Sequence, residues 1–446
     1  MADLSINMCG IKSPNPFWLA SGPPTNCGEQ IMRAFDAGWG GAVWKTLGEP
    51  IINVSSRLGA LDHKGNRMSG LNNIELITDR PLETNLKEIY AVKKKYPDQA
   101  VVVSLMVESK SEWKEIIRRA EDAGADGLEL NFGCPHGMCE RGMGSSVGQE
   151  PAILEEITSW AVDYADTPVL IKLTPNVTDI LEPGLAAVKG GAHGLSLINT
   201  IKSIIGVNLD TLVPLPSVRD KSTNGGYCGP AVKPIALHMV EALARDPRIQ
   251  VPISGIGGIG AWRDAAEFIA LGATSVQVCT AVMHYGYRIV EDMIDGLSNY
   301  LDEKNMTSVP QLIGRAIPHF TEWGNLDLSY RVVASIDREK CIGCQLCYIA
   351  CLDGAHQCIH TRQGPCAAFH GESDHGMQLR AEVKPPLFHA GEENLPDFLP
   401  FVDEEECVGC NLCRLVCPVP GCVTMVERES TQPAITWQDL EIKNRS

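Results

Sequence analysis

Two cysteine runs towards the C-terminal end of the chain have the spacing of iron–sulfur ligands. Each run reads C-x-x-C-x-x-C-x-x-x-C, and a proline, Pro418, follows the second run. Where one chain binds two [4Fe–4S] clusters in this way, three close cysteines bind one cluster and the fourth binds the other. Zinc also takes four cysteines per site, but it would leave the fourth cysteine of each run unused. The spacing therefore predicts two [4Fe–4S] clusters, the first bound by Cys341, Cys344, Cys347 and Cys417 and the second by Cys407, Cys410, Cys413 and Cys351.

A glycine-rich segment, NFGCPHGMCERGMG, places a further cysteine three residues beyond a predicted strand end at Asn131. Its four glycines suit a mobile lid over a pocket. A free cysteine is more often a buried, inert thiol. The polar neighbours His136, Glu140 and Arg141 instead favour a reactive Cys134.

Polar residues also stand at the ends of other predicted strands. Two lysines and two asparagines, Lys45, Lys172, Asn131 and Asn199, would share one rim and favour an anionic or electron-rich ligand. The segment GIGGIG at 255–260 formally matches a dinucleotide fingerprint, but the acidic residue expected about 20 positions later is absent. With Thr280 after the eighth strand, these glycines fit a phosphate site and predict FMN, which also converts single electrons to hydride.

The elements that must position these residues are short apolar runs alternating with longer helical patterns. Glycine-containing joints such as AGADG at 123–127 repeat between the helices and the strands, where glycine supplies a left-handed cap. Eight such units in succession predict an α/β fold of the (β/α)₈ TIM-barrel type. The predicted strands are 17–21, 41–45, 100–106, 127–131, 168–173, 194–199, 252–256 and 275–279.

The distribution of cysteine predicts the domain boundary. Residues 1–336 hold six of the 17 cysteines, and the rest of the chain holds eleven. We therefore expect a barrel over 1–330 and a C-terminal ferredoxin-type domain over 331–446, with a polar insert at about 352–406. Several residues outside the two cysteine runs leave open a further metal site, although we interpret them as ordinary: Cys358, Cys366, Cys422, His356, His360 and His370.

Composition excludes several classes of function. The formal net charge of −17 argues against a nucleic-acid partner, because phosphate neutralisation needs clustered cations. The N-terminus lacks the basic and apolar regions of a secretory signal. The most apolar run, AVVVSLMV from Ala100, is far shorter than the roughly 20 residues that span a bilayer. We expect a cytoplasmic protein with no membrane partner, whose cysteines serve chemistry other than disulfides.

The segment NFGCPHGMCERGMG closely resembles the active-site loop of dihydropyrimidine dehydrogenases, which are relatives of the cysteine-type dihydroorotate dehydrogenases. The resemblance implies a barrel that binds FMN and a loop cysteine, Cys134, that donates a proton to a pyrimidine ring. We expect His136 to assist by a hydrogen bond to the thiol. It extends along the chain through LASGPP at 19–24, WKT at 44–46, LNNIELI at 71–77, IKLTPNVTD at 171–179, INT at 198–200, GGIG at 257–260 and the two cysteine runs.

The family match also implies two partly overlapping sets of binding residues. The substrate would be lined by Asn73, Glu75, Ile77, Asn131, Asn199 and Thr200. The FMN would be lined by Ala20, Ser21, Lys45, Asn73, Asn131, Lys172, Asn199, Gly229, Gly257, Gly258, Cys279 and Thr280. The chain departs from the family pattern at Gly133, where a serine can occur, and at Cys139, where glycine is usual.

The resemblance implies reduction of the 5,6 double bond of uracil or thymine, as in pyrimidine catabolism. Single-chain relatives carry an FAD and nicotinamide module ahead of the barrel, and we expect none here. Electrons from NAD(P)H would then arrive through a partner flavoprotein of the PreT type, with FAD and iron–sulfur clusters, in a heterotetramer. Two alternatives remain open: a dihydroorotate dehydrogenase-type enzyme of pyrimidine synthesis, and an electron-transfer protein without a substrate of its own.

Overall fold

The computed structural model describes residues 2–48, 53–63, 66–361, 399–429 and 433–440. Contacts within the chain divide it into two compact units, Met1–Phe320 and Thr321–Ser446. In these described ranges, none of the helices has the length and apolar character that crossing a membrane would require.

The first unit is a closed barrel of eight parallel strands that follow one another around the barrel in chain order. The strands are almost wholly buried, as expected for a parallel sheet that helices cover. Each of the eight predicted runs overlaps one strand, so the (β/α)₈ prediction is confirmed. The strands are β1 (Phe17–Leu19), β2 (Gly41–Leu47), β3 (Ala100–Leu105), β4 (Gly127–Asn131), β5 (Val169–Lys172), β6 (Gly194–Leu197), β7 (Ile253–Ile256) and β8 (Ala273–Val278).

A helix follows each strand and packs its apolar face on the barrel. In the helix over Lys110–Asp122, the buried residues Trp113, Ile116, Ile117 and Ala120 recur at the helical period, and Ser109 caps the first turn. The eight barrel helices are α1 (Gly28–Ala37), α2 (Leu82–Lys95), α3 (Lys110–Asp122), α4 (Pro151–Tyr164), α5 (Leu181–Lys189), α6 (Lys233–Arg245), α7 (Trp262–Ala270) and α8 (Ile289–Glu303). Shorter helices span Ser145–Gly148 and Thr280–Tyr285.

Two long connections, after β2 and after β6, form a second sheet that the sequence analysis did not predict. Most strand-to-helix connections in such a barrel have about two to six residues, so these two are unusually long. Both start at the carboxyl ends of barrel strands, which form the rim of the barrel. We call this four-stranded antiparallel sheet the rim sheet; its strands, in spatial order, are Ile201–Ser203, Gly225–Cys228, Asn66–Asn73 and Leu58–His63. Two small hairpins complete the first unit, Ile6–Met8 with Ile11–Ser13 and Gly206–Asn208 with Val213–Leu215.

The described residues of the second unit include two short helices and two pairs of antiparallel strands. Its strands are β9 (Arg331–Ile336), β10 (Ile359–His360), β11 (Phe401–Val402) and β12 (Val423–Arg428), with β9 paired to β12 and β10 paired to β11. Its helices are α9 (Leu346–Gly354) and α10 (Leu412–Val416). Most of the predicted insert, together with Cys366 and His370, lies outside the described residues, whereas β10 and β11 lie within its two ends.

Candidate active site and cluster cavities

A large cavity opens at the carboxyl ends of the barrel strands. Its volume, mouth and open solvent included, is about 1330 Å³. The structure brings these sequence-predicted residues together in its lining: Ala20, Ser21, Lys45, Asn73, Glu75, Asn131, Cys134, His136, Lys172, Asn199, Thr200, Gly229, Gly257, Gly258, Cys279 and Thr280.

Ile77 is the exception among the predicted site residues. Its side chain is 2% exposed and packs in an apolar cluster with Met106, Met138 and Met143. The neighbouring Leu76 lines the cavity instead. The side chain of Ile77 therefore lies in this apolar cluster and not in the cavity lining, where the substrate is expected.

A chain of hydrogen bonds fixes the cavity asparagines. Asn199 Nδ2 donates to Asn131 Oδ1 at 2.9 Å, and Asn131 Nδ2 donates to Thr46 Oγ1 at 3.0 Å. The backbone amide of Thr200 donates to Asn199 Oδ1 at 2.8 Å. These bonds hold both amides in one orientation. Thr46 was not predicted, although the strand-end segment WKT contains it.

Lys45 was predicted to line the FMN and Glu75 the substrate, and the structure shows an ion pair between them. Lys45 Nζ lies 2.5 Å from Glu75 Oε1, and both side chains are buried. Arg57 Nη1 lies 2.9 Å from the same oxygen, and its Nη2 lies 3.0 Å from Asp79 Oδ2. Two cations thus compensate the Glu75 carboxylate. Arg57 was missed because it stands in an excursion without a periodic pattern.

A polar cluster within the barrel supports Lys172. Lys172 Nζ lies 3.3 Å from Glu129 Oε1, close enough for an ion pair although the atoms are not aligned for a hydrogen bond. Ser196 Oγ and Gln277 Nε2 donate to Glu129 Oε2 at 2.8 and 2.9 Å. Glu129 is fully buried. Its signal in the sequence is a charged residue in the middle of a buried strand, GLELN.

The glycines after β7 form a wall made of backbone. Gly257 and Gly258 have φ of +128° and +73°, a conformation that side chains other than glycine rarely adopt. A Cβ on Gly258 would lie 2.8 Å from Lys233 Cβ and 3.0 Å from the carbonyl oxygen of Gly229. This close approach of backbones in the cavity lining suits a phosphate group, which backbone amides can bind.

The loop after β4 carries the candidate acid. Cys134 is buried, and its thiol donates to the carbonyl oxygen of His136 at 3.5 Å. Burial raises the pKa of Cys134 to about 11, so the thiol is protonated at neutral pH. The ring nitrogen Nε2 of His136 lies 2.9 Å from the carbonyl oxygen of Glu75, and burial lowers the pKa of the imidazole. The structure thus differs from the expectation that the imidazole holds the thiol; the backbone of His136 does so.

The two departures from the family pattern, Gly133 and Cys139, have different surroundings. A Cβ on Gly133 would lie 2.3 Å from Asn199 Cβ, so glycine allows the loop to start against that side chain. Cys139 lies on the single helical turn Met138–Arg141, outside the cavity lining, and its carbonyl oxygen accepts a hydrogen bond from Ser146. Cys134 is thus the loop thiol that faces the cavity.

Two cavities of about 320 and 310 Å³ in the second unit gather the predicted cluster ligands. No group of three or more Cys, His, Asp or Glu side chains in the described ranges is arranged around a single metal ion. One cavity is lined by Cys351, Cys407, Cys410 and Cys413 together with Cys358, and the other by Cys341, Cys344, Cys347 and Cys417 together with Cys422.

Comparison with protein families gives two matches. Residues 3–301 match the dihydroorotate dehydrogenase family, and residues 400–420 match a 4Fe-4S binding domain. The first match spans the barrel strands β1 to β8 and the helices between them. The second includes all four cysteines of the second run.

Several curated proteins are similar over most of the chain. The NAD-dependent dihydropyrimidine dehydrogenase subunit PreA of Escherichia coli K12 is 45% identical over 359 residues, which are 80% of this chain and 87% of the relative. The chloroplastic dihydropyrimidine dehydrogenase (NADP(+)) of Arabidopsis thaliana is 43% identical over 76% of this chain and 82% of the relative. The catalytic subunit of dihydroorotate dehydrogenase B (NAD(+)) of Pyrococcus abyssi is 38% identical over 70% and 99%. The resemblance to dihydropyrimidine dehydrogenases, which the segment NFGCPHGMCERGMG indicated, is confirmed.

Proposed function

The chain belongs to the dihydroorotate dehydrogenase family of oxidoreductases, and on that premise we propose that it is the catalytic subunit of a dihydropyrimidine dehydrogenase. The proposed reaction is reduction of the 5,6 double bond of uracil or thymine. The observation that carries this proposal is the protonated thiol of Cys134, which faces one cavity with Asn73, Asn131 and Asn199.

Three asparagines suit the substrate because a pyrimidine imide presents both carbonyl and N–H groups. Each amide side chain of Asn73, Asn131 and Asn199 carries both a donor and an acceptor, which suits a ring that presents both kinds of group. The bond from Asn199 to Asn131 fixes which group each presents. Thr200 adds a hydroxyl beside them.

The proton at C5 of the ring is proposed to come from Cys134. Burial keeps its thiol protonated over the neutral range, so the acid is in the donating form. The carbonyl of His136 orients the thiol. We assign the imidazole of His136 a supporting part, since it fastens the loop to the carbonyl of Glu75.

The cofactor proposed for the cavity is FMN. Gln277 Oε1 is buried without a hydrogen-bond partner among the described residues, and it belongs to a side chain of the lining. Lys172 supplies a positive charge that would stabilise negative charge on a reduced flavin, and the glycines after β7 offer a backbone cradle that fits its phosphate. When bound, FMN would supply the hydride for C6.

Two [4Fe–4S] clusters in the second unit are proposed to carry electrons to the barrel. The two cavities group the cysteines as the run spacing requires. We propose that NAD(P)H is oxidised by a partner flavoprotein of the PreT type in a heterotetramer, since the relative in Escherichia coli is itself named as a subunit. Reducing conditions, as in the cytoplasm, would keep the ligating thiols available.

The test is an anaerobic assay of the isolated chain with uracil. We expect dihydrouracil to form with a dithionite-reduced viologen and not with NADH alone. Uracil reduction by NADH without a partner would contradict the proposed partner. Turnover of dihydroorotate or orotate but not of uracil or thymine would instead assign the pyrimidine-synthesis reaction. Viologen oxidation that reduces none of these rings would indicate an electron-transfer protein.

A further inference from the structure

Each cluster cavity contains five cysteines, one more than a [4Fe–4S] cluster binds. The additional residues are Cys358 in the cavity of the second cluster and Cys422 in that of the first. Both are buried, at 4% and 2% exposure. Neither belongs to a C-x-x-C-x-x-C-x-x-x-C run, and the spacing alone marked them as ordinary.

The two additional cysteines occupy equivalent places. Cys358 directly precedes β10, and its thiol contacts those of Cys351 and Cys407. Cys422 directly precedes β12, and its thiol contacts those of Cys417 and Cys341. In each cavity the contacted pair is the fourth cysteine of one run and the first of the other.

Their surroundings differ in one respect that bears on metal binding. The thiol of Cys422 donates to the carbonyl oxygen of Asp337 at 3.6 Å, which ties it to the backbone. The thiol of Cys358 instead lies 3.6 Å from a sulfur, Cys351 Sγ. Cys358 follows the end of α9 in a short irregular segment, where its carbonyl oxygen accepts a hydrogen bond from the amide of Asp403 at 2.7 Å, so any adjustment falls to the side chain.

Within the same cavity, Cys351 is the proposed ligand that Cys358 can replace. The backbone amide of Ala334 donates to Cys407 Sγ at 3.4 Å and holds that sulfur in place. Cys351 lies in α9, one turn before its end, and its sulfur lies 3.6 Å from that of Cys358. A sulfur 3.6 Å away can reach the same iron atom with a small change in its side chain.

We infer that Cys358 is a reserve ligand for the iron atom bound by Cys351. The inference rests on the proposed cluster ligands. The exchange is balanced: the bond from iron to Cys351 breaks, the bond from iron to Cys358 forms, and the proton released by Cys358 passes to the Cys351 thiolate. Iron and sulfide are unchanged, and no oxidant or reductant takes part.

The experiment compares Cys351→Ala, Cys358→Ala and the double variant after anaerobic purification. Iron and acid-labile sulfide are measured per chain, and electron paramagnetic resonance of the oxidised protein reports any [3Fe–4S] cluster. We expect both single variants to keep the wild-type content of about eight iron atoms with no [3Fe–4S] signal. The double variant should lose about one iron atom, with a [3Fe–4S] signal, or about four. Flavin content serves as the measure of barrel folding.

A Cys351→Ala variant that loses as much iron as the double variant would overturn the inference. Cys410→Ala is the matched control, because Cys410 lines the same cavity and is exposed. It should lose iron, and full retention there would also count against the inference, since Cys410 would not then be a ligand. Absence of iron–sulfur clusters from the wild-type chain would contradict the proposed cofactors themselves, whatever the variants show.

Discussion

Lys172 and Glu129 form an ion pair from which water is almost entirely excluded. Glu129 lies inside the barrel on β4, and Lys172 stands at the end of the neighbouring β5 with its ammonium group in the cavity lining. The carboxylate is compensated from one side by the ammonium and from the other by Ser196 and Gln277. The charge that the cavity offers a ligand at this point therefore depends on a residue that does not line it.

Replacement of Glu129 by glutamine should destabilise the barrel strongly. The Glu129→Gln side chain can still accept from Ser196 and Gln277 with its one oxygen, but its amide group then faces the Lys172 ammonium. Breaking a buried pair by removing one partner costs about 3–5 kcal/mol. Denaturant unfolding measures this loss. Glu156→Gln, at an exposed position of α4, should change stability by less than about 0.5 kcal/mol.

Replacement of Gly258 by alanine should weaken flavin binding. The added Cβ would stand 2.8 Å from Lys233 Cβ, at a φ of +73° that costs alanine about 1–2 kcal/mol. The backbone around Gly229 must then move. Gly206→Ala is the matched control, because Gly206 lies outside the cavity lining and, among the described residues, nothing beyond its chain neighbours lies within 4 Å of its added Cβ. Equal flavin retention in both variants, measured by fluorescence after dialysis, would contradict a backbone cradle at Gly258.

Removal of iron should loosen the second unit and leave the barrel folded. The buried core of that unit includes Cys347, Cys351, Cys358, Cys407 and Cys413 beside few aliphatic side chains. Small units with so little core commonly depend on their metal for stability. After oxidative chelation, limited proteolysis should cut within 321–446 and spare a fragment near 1–320 that retains flavin. Protection of both units after iron loss would show that the clusters are not structural.

The barrel and most of its site could be predicted because both depend on local patterns. Buried parallel strands are short apolar runs, and the residues at their ends meet at one rim by topology alone. Lys45, Lys172, Asn131 and Asn199 were found in this way, and all four line the cavity.

What escaped prediction depends on partners that are distant in sequence. Arg57 forms an ion pair with Glu75 from the long connection after β2, which pairs with the connection after β6 in the rim sheet. Neither connection has a clear periodic pattern. Cys358 and Cys422 fall outside the run spacing and enter the cavities only through the folding of the second unit. Ile77 was assigned to the substrate site because it matches the family motif, yet its side chain packs in the apolar cluster with Met106, Met138 and Met143.

Alkylation should show the raised pKa of Cys134. Iodoacetamide reacts with the thiolate, and an unperturbed thiol reaches half ionisation at about pH 8.5. Because burial raises the pKa of Cys134 to about 11, its alkylation rate should still be rising steadily at pH 10. The same shift predicts that turnover does not fall near pH 8.5 through loss of the acid. Mass spectrometry of the 131–144 peptide measures the modification, with Cys134→Ala correcting for Cys139. A rate that levels off near pH 9 would contradict the buried, protonated thiol.

The proton donor itself is tested by three substitutions in the loop. Cys134→Ala should keep flavin and bind uracil but lose turnover by about 10²–10⁴-fold, the usual contribution of a general acid. Cys134→Ser should recover little, because a hydroxyl of similar size has a far higher pKa. Cys139→Ala is the matched control: it removes a thiol of the same loop that lies outside the cavity lining, so its effect should be small. Viologen-driven uracil reduction is measured for each variant, with flavin content in parallel. Normal turnover in Cys134→Ala with an inactive Cys139→Ala would identify Cys139 as the acid, and full activity in both would show that the proton comes from another group or from water.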